Sequence, residues 1–145
     1  MFFWKHKIIS LLIIAAVAYV VVNPAHRFGI ATANFTVFNR VPITGMDIFI
    51  DFEGSTKPMM KINGSDERRE WMKSIQETPQ EDDPMLLIVG TGFKKAVFQL
   101  GDSTVAMLDS RNIQTVQVPS DRAVKLYNDA LGEKKKVALL LEIQK

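Results

Sequence analysis

"PMLLIVGTGFKKAVF", residues 84–98, decides how this chain is read. Pro84 bounds an apolar run, Met85 to Val89, that ends abruptly in Gly90-Thr91-Gly92, with Lys94 and Lys95 close behind. A continuous apolar run of that kind marks a strand covered on both faces, as in a parallel sheet. A Gly-rich turn at the carboxyl end of such a strand has two uses. Its backbone N–H groups can cradle an anion, with Lys94 and Lys95 adding charge. Alternatively, Gly90 and Gly92 allow a bend or a close approach that side chains would block. The spacing matches neither G-x-x-x-x-G-K-[ST] nor G-x-G-x-x-G, so neither nucleotide fingerprint is met.

Working outward toward the C-terminus, Asp102 or Ser103 can cap a short helix over Val105, Met107 and Leu108, and Ile113 to Val118 reads as a strand. Pro119-Ser120 opens another helix, with Ser120 as cap, Ala123, Val124, Tyr127 and Leu131 on its apolar side, and Gly132 fitting its C′ position. Val137 onward closes as a buried strand. Strand, helix, strand, helix, strand predicts an α/β arrangement with a substantially parallel sheet.

Upstream, "NFTVFNR", residues 34–40, reads as a strand. "MDIFIDF", residues 46–52, alternates, with Met46, Ile48, Ile50 and Phe52 on one face and Asp47 and Asp51 on the other. "PMMKI", residues 58–62, supplies a third strand, so a β meander precedes the α/β unit. Ser65 to about Gln76 reads as a helix with Asp66 and Glu67 in its first turn and Trp71, Met72 and Ile75 on its apolar side. The acidic, Pro-bounded stretch 77–84 is most simply a solvated connection.

The N-terminus sets the expected cellular class. Lys5, His6 and Lys7 precede an apolar run from Ile8 to Val22. As a helix the run spans roughly 22 Å against a hydrocarbon core of about 30 Å, so Phe2, Phe3 and Trp4 must extend it while Lys5 and Lys7 snorkel. Trp4 and Tyr19 would then sit near the two interfaces. A cleaved signal peptide is the rival reading, but Ala16-Val17-Ala18 lies inside the run and Asn23-Pro24-Ala25 is a poor cleavage site. The expectation is a transmembrane anchor over residues 1–26, a linker over 27–33 and an α/β domain over 34–145. The basic side is N-terminal, so the positive-inside rule places the N-terminus inside an inner (cytoplasmic or mitochondrial) membrane, in single-pass topology.

Lys5 and Lys7 are two of the 18 basic residues, leaving 16 against 16 acidic ones. A domain without basic surplus does not read as a nucleic-acid binder. The absence of cysteine excludes disulfides, thiolate metal sites and cysteine nucleophiles. His6 and His26, the two histidines, flank the apolar run, and neither has a serine–acid setting. Asp47 and Asp51 read as outward polar positions, and Tyr127 as a core ring rather than an acid–base group. No metal or cofactor is expected.

Set together, these residues resemble a known family, that of the mitochondrial NADH dehydrogenase assembly factor three and the adipogenesis-associated (MTH-type) domain proteins. The likeness covers about residues 30–143. It rests on a strand ending in Gly90-Thr91-Gly92, then Lys94, Lys95 and Phe98, a strand over Ile113 to Val118, Tyr127-Asn128 on a helix, and an aliphatic final strand. The chain has Val118-Pro119-Ser120 where members usually carry Met-Asp-Thr, and soluble members lack an apolar N-terminal segment. The resemblance implies a three-layer α/β domain with a mixed, mostly parallel central sheet and no catalytic residues. Phe98, Tyr127 and Asn128 read as structural.

The expectation from sequence is therefore a non-catalytic accessory or assembly subunit of a membrane complex, anchored in the bilayer through residues 2–22 and acting through contacts with other subunits. The alternative is a tethered small-anion or small-ligand module using Gly90, Thr91, Gly92, Lys94 and Lys95.

Overall fold

The computed structural model describes residues 2–143, with side chains from residue 7 onward. In chain order the elements are α1 (Phe2–Val22), β1 (Phe28–Ala31), β2 (Phe35–Phe38), β3 (Val41–Thr44), β4 (Asp47–Ile50), β5 (Thr56–Met59), α2 (Ser65–Glu77), β6 (Met85–Gly90), α3 (Asp102–Asp109), β7 (Ile113–Val118), α4 (Ser120–Gly132) and β8 (Val137–Leu141). β1, β2 and β3 form a small antiparallel sheet; the main sheet has the order β5-β4-β8-β6-β7.

Two apolar clusters cover the two faces of the main sheet. On one, Trp71 and Ile75 of α2 and Leu108 of α3 meet Phe49, Leu87, Val89, Ala138 and Leu140. On the other, Ala123, Val124 and Tyr127 of α4 meet Ile48, Ile50, Ile88, Leu139 and Leu141, together with Phe28, Phe38 and Ile43 of the small sheet. The odd and even residues of each central strand thus serve opposite layers, the consequence of side chains alternating across a sheet.

Several expectations need correction. Only β6 with β7 and β6 with β8 are parallel, while β4 is antiparallel to both β5 and β8. The sheet is mixed rather than mostly parallel, because the hairpin β4–β5 joins it on the far side of β8. β4 does not alternate between core and water. All four of its residues are buried, Asp47 included. The stretch 27–33 is no bare linker, since it contains β1. Residues 34–40 split into β2 and a tight turn. Gly132 belongs to α4, and the C′ position falls on Lys134 (φ 57°), where Lys134 N–H donates to Leu131 O at 3.1 Å and Lys135 N–H to Ala130 O at 3.0 Å.

The largest correction concerns the N-terminus. Among the described residues no helix is long and apolar enough to cross a membrane. This overturns the transmembrane anchor over 1–26, the single-pass topology and the inner-membrane placement. The physical reason is length. α1 contains 21 residues, but the apolar run that follows Lys7 covers Ile8 to Val22, Ser10 included. That run spans roughly 22 Å of a core about 30 Å thick. The placement of Trp4 and the snorkelling of Lys5 lie outside the described side chains. Tyr19 is no interfacial anchor: its hydroxyl donates to Arg40 O at 2.8 Å.

Candidate functional site

β6 delivers Gly90-Thr91-Gly92 to the carboxyl edge of the parallel strands, where the loop meets the start of α4. The turn is filled by protein. Ser120 Oγ accepts from Gly92 N–H at 2.9 Å and donates to Glu142 O at 2.7 Å. Thr91 N–H donates to Val118 O at 2.9 Å, Ser120 N–H to Gly92 O at 3.0 Å, and Glu142 N–H to Gly90 O at 3.0 Å. Thr91 O in turn accepts from Val97 and Phe98 N–H at 2.8 and 3.2 Å.

These bonds decide what the glycines do. A Cβ on Gly90 would lie 2.6 Å from Leu141 Cδ1 and 2.9 Å from Ser120 Oγ. One on Gly92, whose φ is +138°, would lie 2.2 Å from Lys95 O. Both glycines therefore permit close packing and a sharp bend. The Gly92 N–H that an anion would need is already bonded, and Lys94 and Lys95 are exposed on the outgoing loop.

The remaining motif residues do not converge on this turn. Phe98 is buried on the α2 side, its ring 6.4 Å from Trp71 in an edge contact. Tyr127 sits on the opposite face, 5.7 Å from Phe28 and 6.1 Å from Phe38 between ring centroids. Asn128 clamps β1 to α4, with Oδ1 accepting from Phe28 N–H and Nδ2 donating to Phe28 O, both at 2.9 Å. Burial, then the charge of Asp51, pushes the Tyr127 phenol up to about 12. A phenol held there is not poised for proton transfer near neutrality.

The carboxylates separate as well. Asp47, read from sequence as outward, is 4% exposed. Its Oδ2 accepts from Ile62 N–H and its Oδ1 from Ile143 N–H, both at 2.8 Å. Asp51 instead closes the β4–β5 turn by accepting from Glu53 and Ser55 N–H. At the opposite end of the sheet lies an open groove of about 560 Å³, bordered by Glu81, Asp83, Leu86, Gln114, Lys134 and Lys136. Lys136 is held there between Glu81 and Glu53, and its bond to Glu81 is the main cause of a raised pKa. Among the described residues, no group of three or more His, Asp or Glu could hold a metal ion.

What stands apart is α1. Every described side chain from Lys7 to Val22 is exposed, Leu11 and Val21 at 68% and 74%. The apolar residues fall on all sides of the helix rather than along one stripe. Ser120, Asp47, Asn23 and Arg40 are the residues whose roles sequence reasoning missed. Each binds backbone far away in the chain or across a turn, and no local pattern announces that.

No family model matches the chain, and no curated protein does. Solved structures do. A Bartonella henselae protein described as an outer membrane protein is 17% identical, with TM-score 0.64 over 86% of this chain and 98% of its own. A Bordetella parapertussis protein is 18% identical, with TM-score 0.60 over 79% of this chain and 92% of its own. A protein called MT938 is 16% identical, with TM-score 0.51 over 82% and 98%. At such identities the likeness is one of fold.

Proposed function

We propose that this protein is a non-catalytic accessory or assembly subunit that works by contact with other proteins, and that α1 is the element through which it docks. The observation that carries the reading is the bare apolar surface of α1. A stripe would suit a flat neighbour, whereas a helix apolar all round is stable only when enclosed. An uncovered patch of that extent on a protein surface marks an interaction site. The partner that fits is a socket lined with aliphatic and aromatic side chains, with acidic groups at its far end to meet the basic Lys5–Lys7 segment. The folded domain supports the same reading. Its motif residues are spent on packing, and the Gly-Thr-Gly turn is bonded inward.

The test is native sizing of the tagged, full-length protein beside a variant lacking residues 2–22. The full chain should run in a complex well above its own 16.3 kDa, and the variant should run alone. A full chain that runs as a lone monomer, or that sediments with phospholipid vesicles without any protein companion, overturns the proposal.

A further inference from the structure

The contact between α1 and the domain is small but specifically bonded. α1 ends at Val22, and Asn23 directly after it is 1% exposed. Asn23 N–H and Nδ2 both donate to Tyr19 O, at 2.9 and 3.0 Å, and Oδ1 accepts from Ile30 N–H at 3.1 Å. Gly29 is needed beside it, since a Cβ there would lie 2.1 Å from Asn23 Oδ1. The other half of the contact is the two-residue turn between β2 and β3. Asn39 and Arg40 both have positive φ, 49° and 66°, the backbone of a type I′ hairpin. Glycine is the residue usually favoured at the second position of such a turn, and here it is arginine. Arg40 uses the position. Its carbonyl accepts from the Tyr19 hydroxyl at 2.8 Å and its Nε donates to Asn23 O at 3.4 Å. A guanidinium is thereby placed at the C-terminus of α1, where the helix dipole favours a cation. Asn39 completes the joint: Oδ1 accepts from His26 N–H at 2.8 Å, and its own N–H donates to Arg27 O at 3.0 Å.

We infer that the Asn39-Arg40 turn is a joint that holds α1 at a fixed angle to the domain, so that the protein enters its partner as a rigid peg rather than as a tethered ribbon. The partner it fits is then a preformed apolar socket whose axis is set by the joint. A peg fixed beforehand does not lose the entropy of ordering a flexible arm on binding. Tyr19, Asn23 and Arg40 are positioning residues in this scheme, acting through α1 rather than on the partner.

This rests on the docking role proposed for α1, but the experiment reads the joint alone. The chain has no cysteine, so Ser10→Cys with Gln99→Cys gives a clean spin-label pair on the full-length protein. Pulsed dipolar spectroscopy should return one narrow distance distribution. Adding Tyr19→Phe and Arg40→Gly should broaden it at least twofold. A control pair inside the domain, Glu70→Cys with Gln99→Cys, should stay narrow in both backgrounds. The melting temperature of Arg40→Gly should not fall, because glycine relieves the left-handed backbone. A broad distribution in the unaltered joint, or one that stays equally narrow after both substitutions, overturns the inference and leaves the sizing test of the docking role standing.

Discussion

Ser120 shows how much one hydroxyl does when it is buried between two backbones. It satisfies the Gly92 N–H and the Glu142 carbonyl at once. Ser120→Ala leaves both buried groups without that partner, and each such loss costs about 1–3 kcal/mol. We expect a total near 3 kcal/mol by urea denaturation, with the m-value unchanged. Tyr127 makes a second prediction at this scale. Its phenol ionises at about 12 in the fold against an ordinary value near 10, so the unfolded chain loses its proton first. The contribution is complete below pH 10 and lost as pH rises through 12. A two-unit gap corresponds to about 3 kcal/mol. Tyr127→Phe should therefore flatten the fall in stability between pH 10 and 12, measured by denaturant titration at each pH.

At the scale of elements, the main-sheet register is tied by one carboxylate. Asp47 opens β4, yet its side chain holds the residue that follows β5 by three positions and the residue two beyond β8. Asp47→Asn keeps the shape but puts an N–H₂ where one of two donors now points, and bonds to a charged acceptor are the stronger kind. A loss of about 2–3 kcal/mol is expected, with the Ile62 and Ile143 amides exchanging faster than their neighbours. Asn128→Ala should act elsewhere, freeing the Phe28 amide and loosening β1 from α4 while the main sheet stays protected. These cases also show what the sequence could carry. β6, α2 and α4 are legible because each buries a run or stripe whose period is written locally; α3 and β7 are legible too, although each buries a single residue, Leu108 and Ile113. β1 and β3 are not: four residues carry no period, and the turn that leads into β3 is Asn-Arg, without the usual glycine. The burial of Asp47 is hidden for a related reason: alternation predicts a wet face only on a strand that has one, and β4 lies between β5 and β8. The glycines of the Gly-Thr-Gly turn stand out in the sequence but their use does not, since the serine that fills the turn stands 28 residues later.

For the molecule as a whole, the question is whether the domain needs α1. The apolar clusters draw on the two sheets and on α2, α3 and α4, and none of their members lies before Phe28. The joint at Asn23 is the main tie, and its bonds lie at the part-buried margin of the small sheet. Removing residues 1–22 should thus cost the domain about 1 kcal/mol, the net worth of a hydrogen bond lost at the joint. Solubility should move the other way, because most of the exposed large apolar side chains among the described residues lie on α1. The truncated chain should stay monomeric at concentrations where the full chain, without a partner, self-associates. Calorimetry and light scattering on the two chains test this together. A truncated chain that loses cooperative unfolding would show that α1 belongs to the domain's own core. A full chain as soluble and as solitary as the truncated one would show that its apolar surface asks for no cover. Retained cooperativity with restored solubility is the pattern expected of an element whose enclosing surface belongs to another protein.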